Sequence, residues 1–522
     1  MIRIHRRRPL RFLAAAALLL FGLGRFVAGQ EKNSADAAQT KTPIKHVIVI
    51  FQENVSFDHY FATYPFAANP NNEPAFHAQD GTPRANNLLS GGLLDDNPNS
   101  AQPFRLDRSQ AWTCDQNHDY TPEQLAFDHG LMDKFPQNTG TGGTDDGVAC
   151  DYGHGAGLVM GYYDGNTVTA WWNYAQHYAL SDNFYGTMFG PSTVGALNLV
   201  AGTTSNATMV SGSSVIANGA SMGAIIGDID PAFDDCSTSS SHASVTGTNI
   251  GNLLNDKNLT WGWFQGGFAP TSVTAGKASC GSTSMGLPPV AVTDYVPHHN
   301  PFEYFEDTAN QHHLPPTNDS RIGETDQANH QYDLSLFYTA LNEGRLPSVS
   351  FLKAKAVQNG HPGNSDPLDE QQWLVAAINA VANSQYWKDT AIIITYDDSD
   401  GWYDHQMDTV VNQSDAINDE LAAPGSCGVT PLGGNPGRCG YGPRLPLIVI
   451  SPFAKQNYVD SRMTDQSSII RFVEENWDLG RIGGDSNDVK AGSLFGFFDF
   501  TNGQHAPKLI LDPSTGRVLH EE

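Results

Sequence analysis

Short, mostly apolar runs recur along the chain at His46–Phe51, Leu259–Phe264, Ser348–Leu352, Ala391–Tyr396 and Leu447–Ile450. They are too short for core helices and lack the strict alternation of half-exposed strands, so they predict strands buried on both faces. Between them lie helical patterns at Tyr332–Glu343, Asp369–Asn383 and Ser467–Trp477. Buried strands alternating with helices imply an α/β fold with a largely parallel central sheet flanked by helices. Residues 203–248, rich in Ser, Thr, Gly and Ala, read as a long polar insertion, and 410–443 read as loop. No repeat interrupts this order, so residues 44–522 are expected to form a single domain.

The N-terminus departs from the pattern. It has an Arg-rich head, an apolar stretch from Phe12 to Leu20, and small residues Ala28 and Gly29 before Gln30. This predicts a signal peptide over residues 1–29, a polar leader over 30–43, and a secreted or periplasmic destination. Arg7-Arg8 before Pro9-Leu10 fits twin-arginine export, although Arg11 interrupts the usual apolar pair. Removing six arginines and no acids with the signal takes the formal charge from −27 to −33. So acidic a surface excludes nucleic acid as an expected partner, and any phosphate must be drawn by a local site. Six cysteines, an even number behind an export signal, predict disulfides. Sequence order favours Cys114–Cys150, Cys236–Cys280 and Cys427–Cys439.

In open α/β sheets ligands gather beyond the carboxyl ends of the strands. Two of those ends carry unusual polar pairs: Glu53-Asn54 in "HVIVIFQENVSFDHYF", and Asp397-Asp398 in "AIIITYDDSDGWYDH". Three carboxylates and an amide at neighbouring strand ends would repel one another without a cation. Their hard oxygens suit Mg²⁺ or Ca²⁺ and tolerate Zn²⁺. Taken alone, Asp-Asp after a strand is as readily a helix cap or a solvated turn. A third stretch, "YGTMFGPSTVGALNLVAGT", sets Ser192 and Thr193 at the start of a helix-like run, where the field favours anions. There too the plain alternative is an N-cap.

Together these segments are specific. "ENVSFDHYF", "TYDDSDGWYDH", "NGHPGNSDP" and "GPSTVGALNLVAG" resemble, in order, the motifs of the bacterial phospholipase C and acid phosphatase family of phosphoesterases, most closely its acid phosphatase branch. The resemblance implies an alkaline-phosphatase-like α/β sandwich and a metal-bound Ser or Thr nucleophile. It implies Glu53, Asn54, Asp397, Asp398 and the nucleophile Ser192 as ligands of one divalent metal ion, Ca²⁺, Mg²⁺ or Zn²⁺. In the wider superfamily the nucleophile lies ten residues ahead of a glycine. Gly202 therefore points to Ser192, with Thr193 in reserve. Val55 and Ala62 depart from the family pattern at positions that need not touch the metal, and Val194 replaces a Pro common two residues after the nucleophile, a change expected to loosen that turn.

The resemblance also implies that His118, His298, His299 and His361 surround the phosphate, with His361 or His299 protonating the leaving oxygen. An imidazole with an ordinary pKa of about 6.5 suits work at mildly acid pH. His59 and His405 read as hydrogen-bonded loop residues, Asp404 as structural, and Lys353 and Lys355 as a solvated face. The expected activity is hydrolysis of small phosphate monoesters through a phosphoserine. The alternatives are a phospholipase C acting on phospholipid headgroups and an inactive metal-binding protein. Phospholipase members tend to carry Pro-Asn-Arg after the nucleophile, where this chain has Val194, Gly195 and Ala196, which favours the monoesterase.

Overall fold

The computed structural model of the chain describes residues 39–145, 147–286, 289–428 and 436–522. The expected signal peptide and residues 30–38 of the leader lie outside the described residues.

The fold is α/β, built on one nine-stranded sheet. In chain order its strands are β1 (His46–Gln52), β2 (Ala179–Tyr185), β3 (Trp261–Gln265), β4 (Gln331–Asp333), β5 (Val349–Lys353), β6 (Thr390–Tyr396), β7 (Arg444–Ile450), β8 (Tyr458–Asp460) and β9 (Thr464–Asp465). They lie side by side as β4-β3-β5-β1-β6-β7-β2-β8, with β9 also pairing with β2. Only β7 runs against the others, antiparallel to both β6 and β2. Central β1 pairs Val47 with Val349 on one side and His46 with Thr390 on the other.

Alternate residues of the central strands feed two separate cores, as strands buried on both faces require. Ile48 and Ile50 of β1, with Ile392 and Ile394 of β6, pack with side chains of the Thr169–His177, Ser335–Asn342 and Pro367–Ala382 helices. Val47, Val49, Phe51, Ala391 and Ile393 pack on the opposite face with the Ser192–Ala201 and Ser467–Trp477 helices.

Sequence reading missed one strand and needs adjustment at two other places. Strand β2 carries no continuous apolar run, because Ser181, Asp182 and Asn183 interrupt it; their polar groups are met by Asp460 O, Asn86 N–H and Ser461 O. The helix expected from Tyr332 begins at Ser335, since Gln331–Asp333 is β4 and Asp333 Oδ1 accepts the Ser335 N–H at 3.0 Å. The 203–248 segment, expected only as a polar insertion, contains a four-stranded sheet. The three disulfides pair as expected: Cys114–Cys150, Cys236–Cys280 and Cys427–Cys439.

Candidate active site

Neighbouring strands β1 and β6 end together, and their continuations form the site. Adjacent residues of a strand point to opposite faces. Asn54 escapes that rule because its φ of 56° turns the chain into the left-handed region, which Asn tolerates. Glu53 and Asn54 can therefore address one pocket. Beside them Asp397 N–H donates to Gln52 O at 3.1 Å and Val55 N–H donates to Asp398 O at 2.9 Å, stitching the two strand ends together.

The third segment approaches from one face. Ser192 is the first residue of the ten-residue Ser192–Ala201 helix, whose N-cap position is Pro191. Its Oγ is 3.2 Å from both Glu53 Oε2 and Asp398 Oδ2. Thr193 Oγ1 points elsewhere, 3.5 Å from the Tyr304 hydroxyl, so Ser192 is the hydroxyl set among the carboxylates. Gly195 makes this approach possible: a Cβ there would lie 2.1 Å from the Asp397 carbonyl oxygen.

Glu53, Asn54, Ser192, Asp397 and Asp398 are all buried. One end of the Asn54 amide lies 2.9 Å from Glu53 Oε2 and 3.1 Å from Asp397 Oδ1. An amide oxygen facing two carboxylates is unfavourable unless a cation sits among them, whereas an amide N–H there donates to both. The five residues thus offer a hard-oxygen donor set that fits a divalent metal. Burial raises Asp397 to about 6, with the Glu53 charge adding to it and Lys353 opposing. Burial likewise pushes Asp398 well up, as do Asp397 and Glu123, against the charge of His118.

Lys353 overturns an expectation. It is fully buried rather than part of a solvated face, with Nζ 3.0 Å from Asp397 Oδ2 and in contact with Glu53 Oε1. Burial alone would raise Glu53, but Lys353 leads the charges that bring it below the usual carboxylate range. Three carboxylates against one ammonium leave a formal excess of two negative charges, which a divalent cation offsets. Lys355 is 40% exposed and pairs with Asp294 at 3.0 Å.

All four histidines border this cluster. His118 Nδ1 donates to Gln116 O at 2.8 Å and its Nε2 lies 3.4 Å from Asn54 Nδ2. Burial works against its charge, but Asp398, Asp400 and Asp115 outweigh burial and hold it well above the usual histidine value. His361 Nδ1 donates to Pro362 O at 2.7 Å, which leaves Nε2 facing the Asn54 amide at 3.3 Å. His299 Nδ1 lies 3.0 Å from Glu53 Oε1; burial and the Lys353 charge hold this ring well below the usual value. His298 stands between Asp228, 3.8 Å from its Nε2, and Asp230, 3.6 Å from its Nδ1.

Asp228, Asp400 and Glu123 were not legible in the sequence as site residues. Asp400 Oδ1 lies 3.3 Å from His118 Nδ1, and Glu123 accepts from Gly190 N–H at 3.1 Å and Ser399 Oγ–H at 2.7 Å, bracing the turn before Ser192. Asp404 pairs with Arg444 at 3.0 Å, His405 contacts Asp58, and His59 Nδ1 donates to Gly161 O at 2.8 Å.

The Phosphoesterase family model matches residues 44–480. The chain is 24% identical over 495 residues to the hemolytic phospholipase C of Pseudomonas aeruginosa, covering 91% of this chain and 59% of that one. It is 24% identical over 449 residues to phospholipase C A of Mycobacterium tuberculosis, covering 84% and 74%. Against the non-hemolytic phospholipase C of Burkholderia pseudomallei it is 22% identical and spans 55% of that protein's length. Among solved structures, it is similar to a Vibrio parahaemolyticus protein in the alkaline phosphatase superfamily, at 12% identity and a TM-score of 0.27 over 60% of this chain and 62% of that one. With its matched region spanning the sheet and all the candidate site residues, this chain belongs to the phosphoesterase family.

Proposed function

We propose that this protein is an exported, metal-dependent phosphoric ester hydrolase in which Ser192 takes the phosphoryl group and then yields it to water. The observation that carries the proposal is the Ser192 hydroxyl, seated at a helix N-terminus and turned toward Glu53 and Asp398 at 3.2 Å each. A divalent cation held by Glu53, Asn54, Asp397 and Asp398 would supply Lewis-acid activation of that hydroxyl and offset phosphoryl charge. The three disulfides support a destination outside the reducing cytosol.

The remaining work falls to the chain itself. The helix N-terminus favours an incoming anion. His118, kept charged by its aspartates, meets the phosphoryl oxygens, while His298, its nitrogens turned to Asp228 and Asp230, adds positive charge nearby. Ser192 Oγ attacks phosphorus in line and the alcohol leaves; water then cleaves the seryl phosphate ester, which keeps its headgroup when the substrate is a diester. His361 is better placed than His299 to protonate the leaving oxygen: its Nε2 is directed at the site, whereas His299 Nδ1 is engaged by Glu53 and orients that carboxylate.

The first reading of the substrate is a phosphodiester, as the names of the phospholipase C relatives support. The Val194-Gly195-Ala196 segment loses weight as a sign of a monoesterase, because contact with Asp397 O accounts for Gly195. Hydrolysis of monoesters at mildly acid pH is the second reading, favoured by the likeness of "GPSTVGALNLVAG" to acid phosphatases. The test is side-by-side turnover of p-nitrophenyl phosphorylcholine and p-nitrophenyl phosphate by wild type and Ser192→Ala, before and after chelation and metal add-back. Loss of activity on chelation and in Ser192→Ala supports the proposal. No turnover of either ester with metal supplied defeats it.

A further inference from the structure

The helix that opens with Ser192 has no side-chain cap at its Pro191 N-cap position. The Ser192 hydroxyl does not help, because it is turned to Glu53 and Asp398. The acceptor comes instead from the polar insertion, where Asp228 Oδ1 takes the Thr193 N–H at 2.9 Å. The other Asp228 oxygen faces His298, and Asp230 faces the same imidazole from its second nitrogen. Two carboxylates to one imidazolium leave an uncompensated negative charge. Asp228 is 36% exposed, so that charge is open to solvent. Its field also reaches His118 and His299.

Capping a helix requires only an acceptor; Asn or Ser serves as well as Asp. A full negative charge beside the nucleophile of a phosphate site does more. It opposes the second charge of a phosphomonoester, tolerates the single charge of a diester, and attracts a cation carried next to the phosphate.

We propose that Asp228 is a specificity-determining residue that caps the nucleophile's helix and selects phosphodiesters bearing a cationic headgroup over dianionic phosphomonoesters. The assignment rests on the phosphoesterase reading above and adds to it a residue that sorts esters by charge.

The test compares kcat/KM for p-nitrophenyl phosphorylcholine and p-nitrophenyl phosphate at about pH 8, where a monoester carries close to two charges. Wild type, Asp228→Asn and Asp228→Ala are measured with metal supplied. Asp228→Asn keeps an acceptor for Thr193 N–H and removes only the charge. Its preference for the choline diester should fall by about tenfold or more, mainly through better use of the monoester. Asp228→Ala loses the cap as well, and its turnover of both esters should drop. The wild-type preference should itself weaken as salt rises from about 0.05 to about 0.5 M, since a half-exposed charge is screened. This second readout needs no variant. A wild-type preference that salt leaves unmoved, or an unchanged ratio in Asp228→Asn, overturns the inference while leaving the reaction standing. No turnover of either ester by wild type overturns the proposed function and the inference together.

Discussion

Lys353 Nζ lies 3.0 Å from Asp397 Oδ2, with both groups sealed from solvent at the carboxyl ends of β5 and β6, the two strands that flank β1. In the absence of a metal this ammonium is the positive charge that touches both Glu53 and Asp397. Breaking one side of such a buried pair costs about 3–5 kcal/mol, because the other side stays charged and unpaired. The metal-free Lys353→Met protein should therefore melt well below the wild type. Added divalent cation should raise its melting temperature by more than it raises that of the wild type, as thermal melts with and without Ca²⁺, Mg²⁺ and Zn²⁺ would record. Equal metal-induced shifts in the two proteins would count against Lys353 as part of the metal site's charge balance.

Gly195 is the point where the helix that opens with Ser192 meets the strand end that carries Asp397. A Cβ there would lie 2.1 Å from the Asp397 carbonyl oxygen, a backbone atom that cannot turn aside, so the helix must retreat. Gly195→Ala should lower kcat by roughly a hundredfold, because Ser192 moves off its carboxylates. It should also destabilise the fold by about 1–3 kcal/mol. A variant with unaltered kcat would show that the close approach is not needed for the chemistry.

The parts of this arrangement that could be read from sequence are those with a local signature. Glu53-Asn54 and Asp397-Asp398 stand out because polar pairs terminate apolar runs, and β1 and β6 stand out because those runs are unbroken. Strand β2 does not, since its Ser-Asp-Asn centre finds partners only in the folded chain, from Asn86 to Ser461. Lys353 read as solvated because a lone lysine at a strand end usually is. Its partner Glu53 lies 300 residues away in sequence and becomes a neighbour only when β5 pairs with β1. Asp228 had no signature at all inside a polar insertion.

Two buried histidines set an acid limit on stability. Burial pushes His59 down to about 3 and His330 down to about 4, each opposed by a hydrogen bond to a backbone carbonyl. Unfolded histidine titrates near 6.5, so as pH falls the unfolded chain takes up the proton first. Stability tied to these neutral rings is full above about pH 6.5 and declines below it, by up to about 1.4 kcal/mol per pH unit for each ring. His330 stacks on Trp261 with ring centroids 4.3 Å apart. Urea unfolding of wild type and His330→Gln should give a difference in stability that is constant above about pH 7 and shrinks between about pH 6 and 4. A difference independent of pH would mean that His330 is not held neutral.

Arg444 joins the distal halves of the two strand-end motifs, "ENVSFDHYF" and "TYDDSDGWYDH". Its guanidinium reaches Asp404 at 3.0 Å and Asp58 at 3.4 Å, and His405 also contacts Asp58. This guanidinium fills a cluster of two carboxylates and an imidazole that would otherwise resemble a metal site. Arg444→Met should destabilise the protein by about 3–5 kcal/mol in urea unfolding. Arg444→Lys should recover part of that, since it keeps the charge but not the planar fork. A loss below about 1 kcal/mol in the Met variant would mean that the two aspartates find other partners.

The central claim is that Ser192 carries the phosphoryl group, and it is tested most directly by trapping that group. Metal-loaded protein is mixed with p-nitrophenyl phosphorylcholine and, in parallel, p-nitrophenyl phosphate. It is quenched in acid within a turnover and digested, and the peptides are sequenced by mass spectrometry. The account predicts that Ser192 carries phosphate from the monoester and phosphorylcholine from the diester, in each case absent from Ser192→Ala and from protein treated with chelator. A phosphoryl group on Thr193, or turnover with Ser192 unmodified at every quench time while Ser192→Ala remains active, would contradict it.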